Sequence, residues 1–312
     1  VYRTVEGNHE RSHAGGGRSN QREVDVILNE VLPGLIPPYE RGHIGATTPY
    51  RRQANALFDQ LIEAVEGIED LEADTVHKFQ GREKDVIIMT TVLSETSRGH
   101  AGLTFADDSS LVNVAVSRAA RKFVLVTNHD MLPKSRNLRD LIDYIAYQDP
   151  DDDVVDSQIV SMFDLLYKEY SAKLRPLARR LRGEMKYKSE DIIWTRLNEL
   201  LGEPRYRDLD VAHHVYMASV IASFTDLTEE QAKYIKNRAS FDFVVYSRVG
   251  RRPAFAVEVD GIANHPENSH RDRLKNEICA AVGLKLVRLP TSGSGEEARL
   301  RSALDAALGV GS

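Results

Sequence analysis

At 312 residues, with 42% hydrophobic and 28% charged side chains, the chain has a globular composition and length for two domains. Its formal net charge of -6 supplies no global basic field, so nucleic-acid contact would have to come from local patches. The single cysteine, Cys279, excludes an internal disulfide and a cysteine-rich zinc site and fits a reducing cytoplasm; no apolar run approaches membrane-spanning length.

The text opens at Val1 rather than Met and runs directly into strand-like residues, which suggests a piece of a longer polypeptide. Val24, Ile27, Leu28 and Val31 recur at helical spacing within Arg22–Leu35. Ile44–Thr48 reads as a short strand and Arg51–Val65 as a helix. Asp85–Val92 and Lys122–Thr127 are apolar runs rich in β-branched residues, as in strands buried on both faces of a parallel sheet. Asp149–Asp156 packs five aspartates into eight residues and reads as a solvated break. Lys168–Lys188 holds eight Lys/Arg against two acidic residues; it reads as a solvated linker helix, with a phosphate-contacting arm as the alternative. Beyond Ser189 come a helix (Asp191–Leu201), two strands (Phe241–Tyr246 and Ala254–Asp260), a helix (Arg271–Val282), a strand (Leu284–Leu289) and a final helix (Glu296–Leu308). The expected organisation is an α/β domain over 1–148, an acidic break and basic linker helix over 149–188, and a smaller α/β domain over 189–312.

Three segments carry the chemistry of the first domain: IGATTPYRRQ (44–53), ADTVHKFQGREKDVIIMTTV (73–92) and NVAVSRAARKFVLVT (113–127). In that order they resemble motifs IV, V and VI in the C-terminal RecA-like domain of superfamily I helicases, nearest the nonsense-decay-factor type. Asn20 and Glu23 sit where that family has Asn-x-x-Glu leading into a helix. The resemblance implies that Gln53, Gln80, Gly81, Glu83 and Arg118 border bound ATP, with Arg118 as the arginine finger that neutralises charge on the transferred phosphoryl group. It also implies that Thr75, His77 and Lys78 lie near a DNA or RNA backbone. A strand that ends in polar loop residues presents them at the sheet's C-terminal edge, where open α/β sheets bind ligands, and the nucleotide loop is expected there. Ser110, Leu111 and Val112 stand where the family often has two arginines. The 312 residues contain no G-x-x-x-x-G-K-[ST] phosphate loop, so a missing N-terminal helicase domain is the expected partner and this chain alone is not expected to hydrolyse ATP.

In the second domain, ASFDFVVYS, AFAVEVDGIANH and HRDRLKNEICAAVGLKLVRL carry a second pattern. Period-two alternation puts Glu258 and Asp260 on one strand face, with Asp242 able to oppose them from the neighbouring strand. Paired carboxylates of this kind can hold Mg2+ and activate a water against a phosphodiester. This text resembles the PD-(D/E)XK nuclease superfamily, of the type related to very-short-patch repair endonucleases, and implies a restriction-endonuclease-like fold. The resemblance makes Asp242 and Glu258 metal ligands, with Glu199 as an additional acidic residue, and Asp242, Glu258, Asp260 and Lys275 the catalytic set. Asp260 stands where the superfamily usually has lysine, for which Lys275 on the following helix compensates; His265 and Arg271 would touch nucleic acid, and His270 flanks the same helix. Two functions remain open: a helicase carrying a metal-dependent nuclease, or a helicase carrying a non-catalytic DNA- or RNA-binding module.

Overall fold

The computed structural model describes residues 1–4, 10–12, 17–36, 38–64, 71–79, 83–94, 97–148, 153–166, 174–260 and 270–309. The chain forms two compact units, Val1–Val160 with Ser292–Ser294, and Ser161–Thr291 with Gly295–Ser312.

In the first unit the strands are β1 (Tyr2–Thr4), β2 (Glu10–Ser12), β3 (Arg18–Asn20), β4 (Ile44–Thr48), β5 (Glu72–Thr75), β6 (Lys84–Thr90), β7 (Ala119–Asn128) and β8 (Val155–Asp156). Its helices are α1 (Gln21–Val26), α2 (Leu32–Leu35), α3 (Arg51–Ala64), α4 (Ser97–Ala106), α5 (Ser109–Ser117) and α6 (Asn137–Gln148). The main sheet runs β5-β4-β6-β7-β1-β8 with every pair parallel, while β2 and β3 form a separate hairpin. Both faces are dry because neighbouring strand residues alternate sides. Val86, Ile88, Val124 and Val126 pack under α1, α2 and α3, and Met89 and Leu125 pack under α4, α5 and α6. The expected helix over Arg22–Leu35 is α1 and α2 joined by a π-helical stretch at Ile27–Val31. At the end of the acidic break Val155–Asp156 is exposed, as expected, but also pairs as a strand with Tyr2–Arg3, and Asp156 is ion-paired to Arg3 at 2.8 Å.

The second unit contains α7 (Arg175–Arg180), α8 (Lys188–Leu201), β9 (Leu209–Tyr216), α9 (Met217–Val220), α10 (Glu229–Lys236), β10 (Ser240–Ser247), β11 (Pro253–Asp260), α11 (His270–Ala281), β12 (Lys285–Pro290) and α12 (Glu296–Ala307). Its sheet runs β12-β11-β10-β9, antiparallel except for the parallel β11–β12 pair, which α11 connects. Val244 and Ala256 face Ile235, Leu274, Ile278 and Cys279 from α10 and α11. In the basic stretch the described helix is the six-residue α7, shorter than the linker helix expected. No helix among the described residues is long and apolar enough to cross a membrane.

Candidate functional sites

Strand direction decides where the helicase-type residues fall. Thr75 ends β5 and is followed by the exposed His77 and Lys78, so these three sit at the C-terminal edge of the sheet. Glu83 precedes β6 and Arg118 precedes β7, so these two sit at the opposite, N-terminal edge, which corrects the C-terminal placement expected for the nucleotide loop. The two are neighbours there because the Lys84 N–H donates to the Arg118 carbonyl at 3.1 Å. A Cβ added to Gly45 would lie 2.8 Å from Phe79 Cε1 and 3.0 Å from Ile87 Cδ1, so Phe79, just beyond β5, packs on β4 where a side chain cannot stand.

Arg118 caps the C-terminus of α5, whose start is fixed by the Asp108 carboxylate accepting from the Ser110 and Leu111 N–H groups at 3.0 and 3.1 Å. Its Nη2 reaches Ser117 Oγ at 3.3 Å, and its buried Nε has no partner among the described residues. Guanidinium donors left in this state suit an anionic phosphoryl ligand. Lys78 lies 3.8 Å from Asp74, which Arg51 also contacts at 2.5 Å. Gln80 and Gly81 lie outside the described residues.

Gln53 does not border an open cleft. It is 0% exposed, its Oε1 accepts from Asn20 N–H at 2.8 Å, and its Nε2 donates to Asn20 O at 3.2 Å and Thr90 Oγ1 at 3.1 Å. It thereby braces Asn20, whose Nδ2 donates to Leu93 O at 3.1 Å. Beside it, the fully buried Glu23 accepts from the Thr90 hydroxyl, the Thr91 hydroxyl at 3.1 Å, Val92 N–H at 2.8 Å and Leu93 N–H at 3.4 Å. Burial pushes its carboxyl up to about 7 against those donors. Val92 itself has φ 58, a conformation that a β-branched residue rarely adopts. Asn20, Glu23 and Gln53 therefore clamp the strained exit of β6.

In the second unit the register brings the predicted carboxylates together. Phe243 pairs with Val257, so in the antiparallel ladder Asp242 faces Glu258 from the adjacent strand, and Asp242 Oδ2 accepts from Val259 N–H at 2.7 Å. Lys275, reaching down from α11, sets Nζ 2.6 Å from Glu258 Oε2. Glu258 is 6% exposed, and its Oε1 has no hydrogen-bond partner among the described residues. Burial raises both carboxyls above their ordinary range; Val259 N–H and Lys275 oppose this at Asp242, and Lys275 opposes it at Glu258.

Asp260 is turned to a different partner. Arg288 Nε and Nη2 hold its two oxygens at 3.0 and 2.7 Å, and Nη2 also reaches Asp272 at 2.6 Å. Its carboxylate is thus neutralised by β12. Glu199 is likewise engaged elsewhere, by Arg180 at 2.5 Å and Arg196 at 2.8 Å; burial raises its carboxyl, but the two arginines together bring it below its ordinary value. The carboxyl of α8 that senses Asp242 is Glu190, pushed up to about 7 by burial and then by the Asp242 charge, with Lys186 acting in the opposite sense. Positions 190 and 199 lie half a helical revolution apart at 100° per residue, so they occupy opposite faces of α8. That face relation is the signal by which the sequence distinguishes them.

Trp194 of α8 stacks on Phe243 at 6.0 Å between centroids and meets His213 edge-on at 5.0 Å. His270 accompanies Glu230 at 2.9 Å, Arg271 is exposed on the first turn of α11, and His265 lies outside the described residues.

Among the described residues no group of three or more His, Cys, Asp or Glu side chains is arranged to hold a metal. The facing pair still fits a hard divalent cation. Both donors are oxygens, Glu258 has a buried oxygen without a partner, and Mg2+ is commonly bound through one or two carboxylates with waters or substrate phosphate completing its shell.

Comparison with known proteins divides the chain in the same two parts. Residues 1–130 match the AAA domain family (AAA_12), and residues 183–308 match a family described as a protein of unknown function (DUF2726). The chain is similar to the putative helicase mov-10-B.1 of Danio rerio, 29% identical over 146 residues covering 41% of this chain and 14% of that protein. It is also similar to the DNA polymerase alpha-associated DNA helicase A of Saccharomyces cerevisiae, 32% identical over 122 residues covering 39% of this chain and 17% of that protein. The DNA replication ATP-dependent helicase/nuclease DNA2 of Bos taurus is 28% identical over 151 residues, 48% of this chain and 14% of that protein. The first unit has the likeness of a superfamily I helicase RecA-like domain. The chain spans 14–17% of the length of these three relatives.

Proposed function

We propose that this chain contributes one motor domain of an ATP-dependent DNA or RNA helicase and carries, in its second unit, a Mg2+-dependent phosphodiesterase. Arg118 and Glu83 form one wall of the ATP site, and a further RecA-like domain with a phosphate loop supplies the other. Thr75, His77 and Lys78 meet the nucleic-acid backbone at the opposite sheet edge. The 312 residues include no phosphate loop, so the chain by itself hydrolyses no ATP.

The observation that carries the nuclease reading is Glu258: buried, facing Asp242 across the ladder, paired to Lys275 through one oxygen and, among the described residues, unpartnered at the other. Asp242 and Glu258 would hold Mg2+, which supplies an activated water and neutralises a phosphate oxygen when bound. The Val259 N–H fixes the Asp242 carboxylate, and the Lys275 ammonium places positive charge where the phosphodiester gains negative charge. The full chain, incubated with end-labelled DNA and RNA and Mg2+ or Mn2+, should cut, and Asp242→Ala and Glu258→Ala should each abolish cutting. Absence of cleavage under either metal, with binding retained by Asp242→Ala, leaves the non-catalytic binding module as the function of the second unit.

A further inference from the structure

Beside the Asp242–Glu258 pair stand exposed aromatic and cationic side chains that the reaction above does not use. Phe241 pairs with Val215 and Phe243 with His213, so Asp242 faces His214 on the edge strand β9 as it faces Glu258 on the other side. His214 is exposed and has φ 52. Two residues on, Tyr216 lies on the same side of β9, its ring centroid 6.2 Å from that of His214, and it is 47% exposed. At the other border, α8 packs on the sheet through Trp194, which stacks on Phe243, the residue next to Asp242, and Tyr187 caps the start of that helix beside Lys186. Its ammonium stands 5.0 Å over the Tyr187 ring, and Tyr187 is 55% exposed. Two exposed tyrosine rings, each beside a side chain able to donate hydrogen bonds, thus stand on the elements that border the Asp242–Glu258 pair.

An exposed tyrosine ring beside a cationic or hydrogen-bonding side chain is a platform on which a nucleic-acid base, a flat π-system, can stack. A base in a duplex has both faces covered by its neighbours, so only an unpaired base can stack on a side chain. We propose that the second unit takes its nucleic acid as a single strand, one base stacked on Tyr187 and another on Tyr216, with the intervening phosphates contacted by Lys186 and His214. The inference rests on reading the Asp242–Glu258 pair as a nucleic-acid site.

The test uses the full chain in EDTA, so that binding is read without cleavage. Fluorescence anisotropy with a labelled single-stranded oligonucleotide and with a duplex of the same length should show preference for the single strand. Tyr187→Ala and Tyr216→Ala should each weaken single-strand binding by roughly 5- to 100-fold, and Tyr187→Phe and Tyr216→Phe should restore it. A 5-iodouracil-substituted single strand should photo-crosslink to Tyr187 and Tyr216, which locates the contact in this unit whatever the first unit binds. Equal affinity for duplex, alanine variants that bind normally, or crosslinks mapping to other residues would each overturn the proposal. Crosslinking at both tyrosines without metal-dependent cleavage would leave it standing and sink the nuclease reading alone. Cleavage that needs Asp242 but is indifferent to both tyrosines would do the reverse.

Discussion

Replacing Glu23 with alanine probes the clamp at the exit of β6. The carboxylate accepts from two hydroxyls and two backbone N–H groups in a fully buried setting. Thr91 already donates to Thr127 Oγ1 at 2.9 Å and the Thr90 oxygen accepts from Gln53 Nε2 at 3.1 Å, so both hydroxyls can keep a partner. The Val92 and Leu93 N–H groups cannot. Each buried donor left without an acceptor costs about 1–3 kcal/mol, and removal of the carboxyl's own desolvation cost offsets part of this, leaving a net loss of about 3 kcal/mol. That loss should also depend on pH. The carboxyl titrates at about 7 in the folded chain against an ordinary 4.5, so the folded state holds the proton more tightly. The resulting stabilisation is full below pH 4.5 and is lost as pH rises through 7, a span worth about 3 kcal/mol. Glu23→Gln removes this titration while keeping one acceptor oxygen. Amide hydrogen exchange at Val92 and Leu93, compared between wild type and Glu23→Gln at each pH, isolates the group from other titrating sites. Wild-type protection relative to the variant should decline between pH 5 and pH 7.5, and Glu23→Ala should collapse protection at both amides. Unchanged exchange at those amides in the alanine variant would refute the clamp.

Gly45→Ala should destabilise the first unit by about 1–3 kcal/mol, because the new methyl meets Phe79 and Ile87 at 2.8 and 3.0 Å; a urea titration followed by hydrogen exchange in β4 reads it. Lys275→Met leaves Glu258 buried without its cation and should cost about 3–5 kcal/mol at pH 8. The loss should shrink at pH 5, where Glu258 takes up a proton, and equal losses at both values would contradict the assignment. Arg288→Ala frees both Asp260 and Asp272 from their shared guanidinium and should lower stability by about 2 kcal/mol, with single-turnover cleavage changing little. Finally, added ATP should remain unhydrolysed by the full chain, and phosphate release abolished by Arg118→Ala would show the opposite.

Much of the architecture was written in hydrophobic pattern. The β-branched runs at β6 and β7 are buried on both faces, so their continuity reads directly as parallel strands. Asp242 and Glu258 were legible because strand period and an antiparallel neighbour place them opposite each other. β9 was not legible: its His213, His214 and Tyr216 are exposed at a sheet edge, so the strand carries little alternation. The resemblance points to Glu199 on α8, whereas the α8 carboxyl that senses Asp242 is Glu190 on the opposite helix face, a distinction that a motif position does not carry. The sheet edge occupied by Arg118 depends on whether a residue enters or leaves its strand. That polarity comes from topology, which motif spacing does not encode.

Trp194 is the sole tryptophan of the 312 residues. Its indole lies against Phe243 and His213, the residues adjoining Asp242 and His214 along their strands, while its N–H donates to Glu184 at 2.6 Å. The chain therefore has an intrinsic optical probe beside the carboxylate strand. Emission excited at the red edge of protein absorption reports on this one neighbourhood, so cation or strand capture there can be followed without attaching a dye.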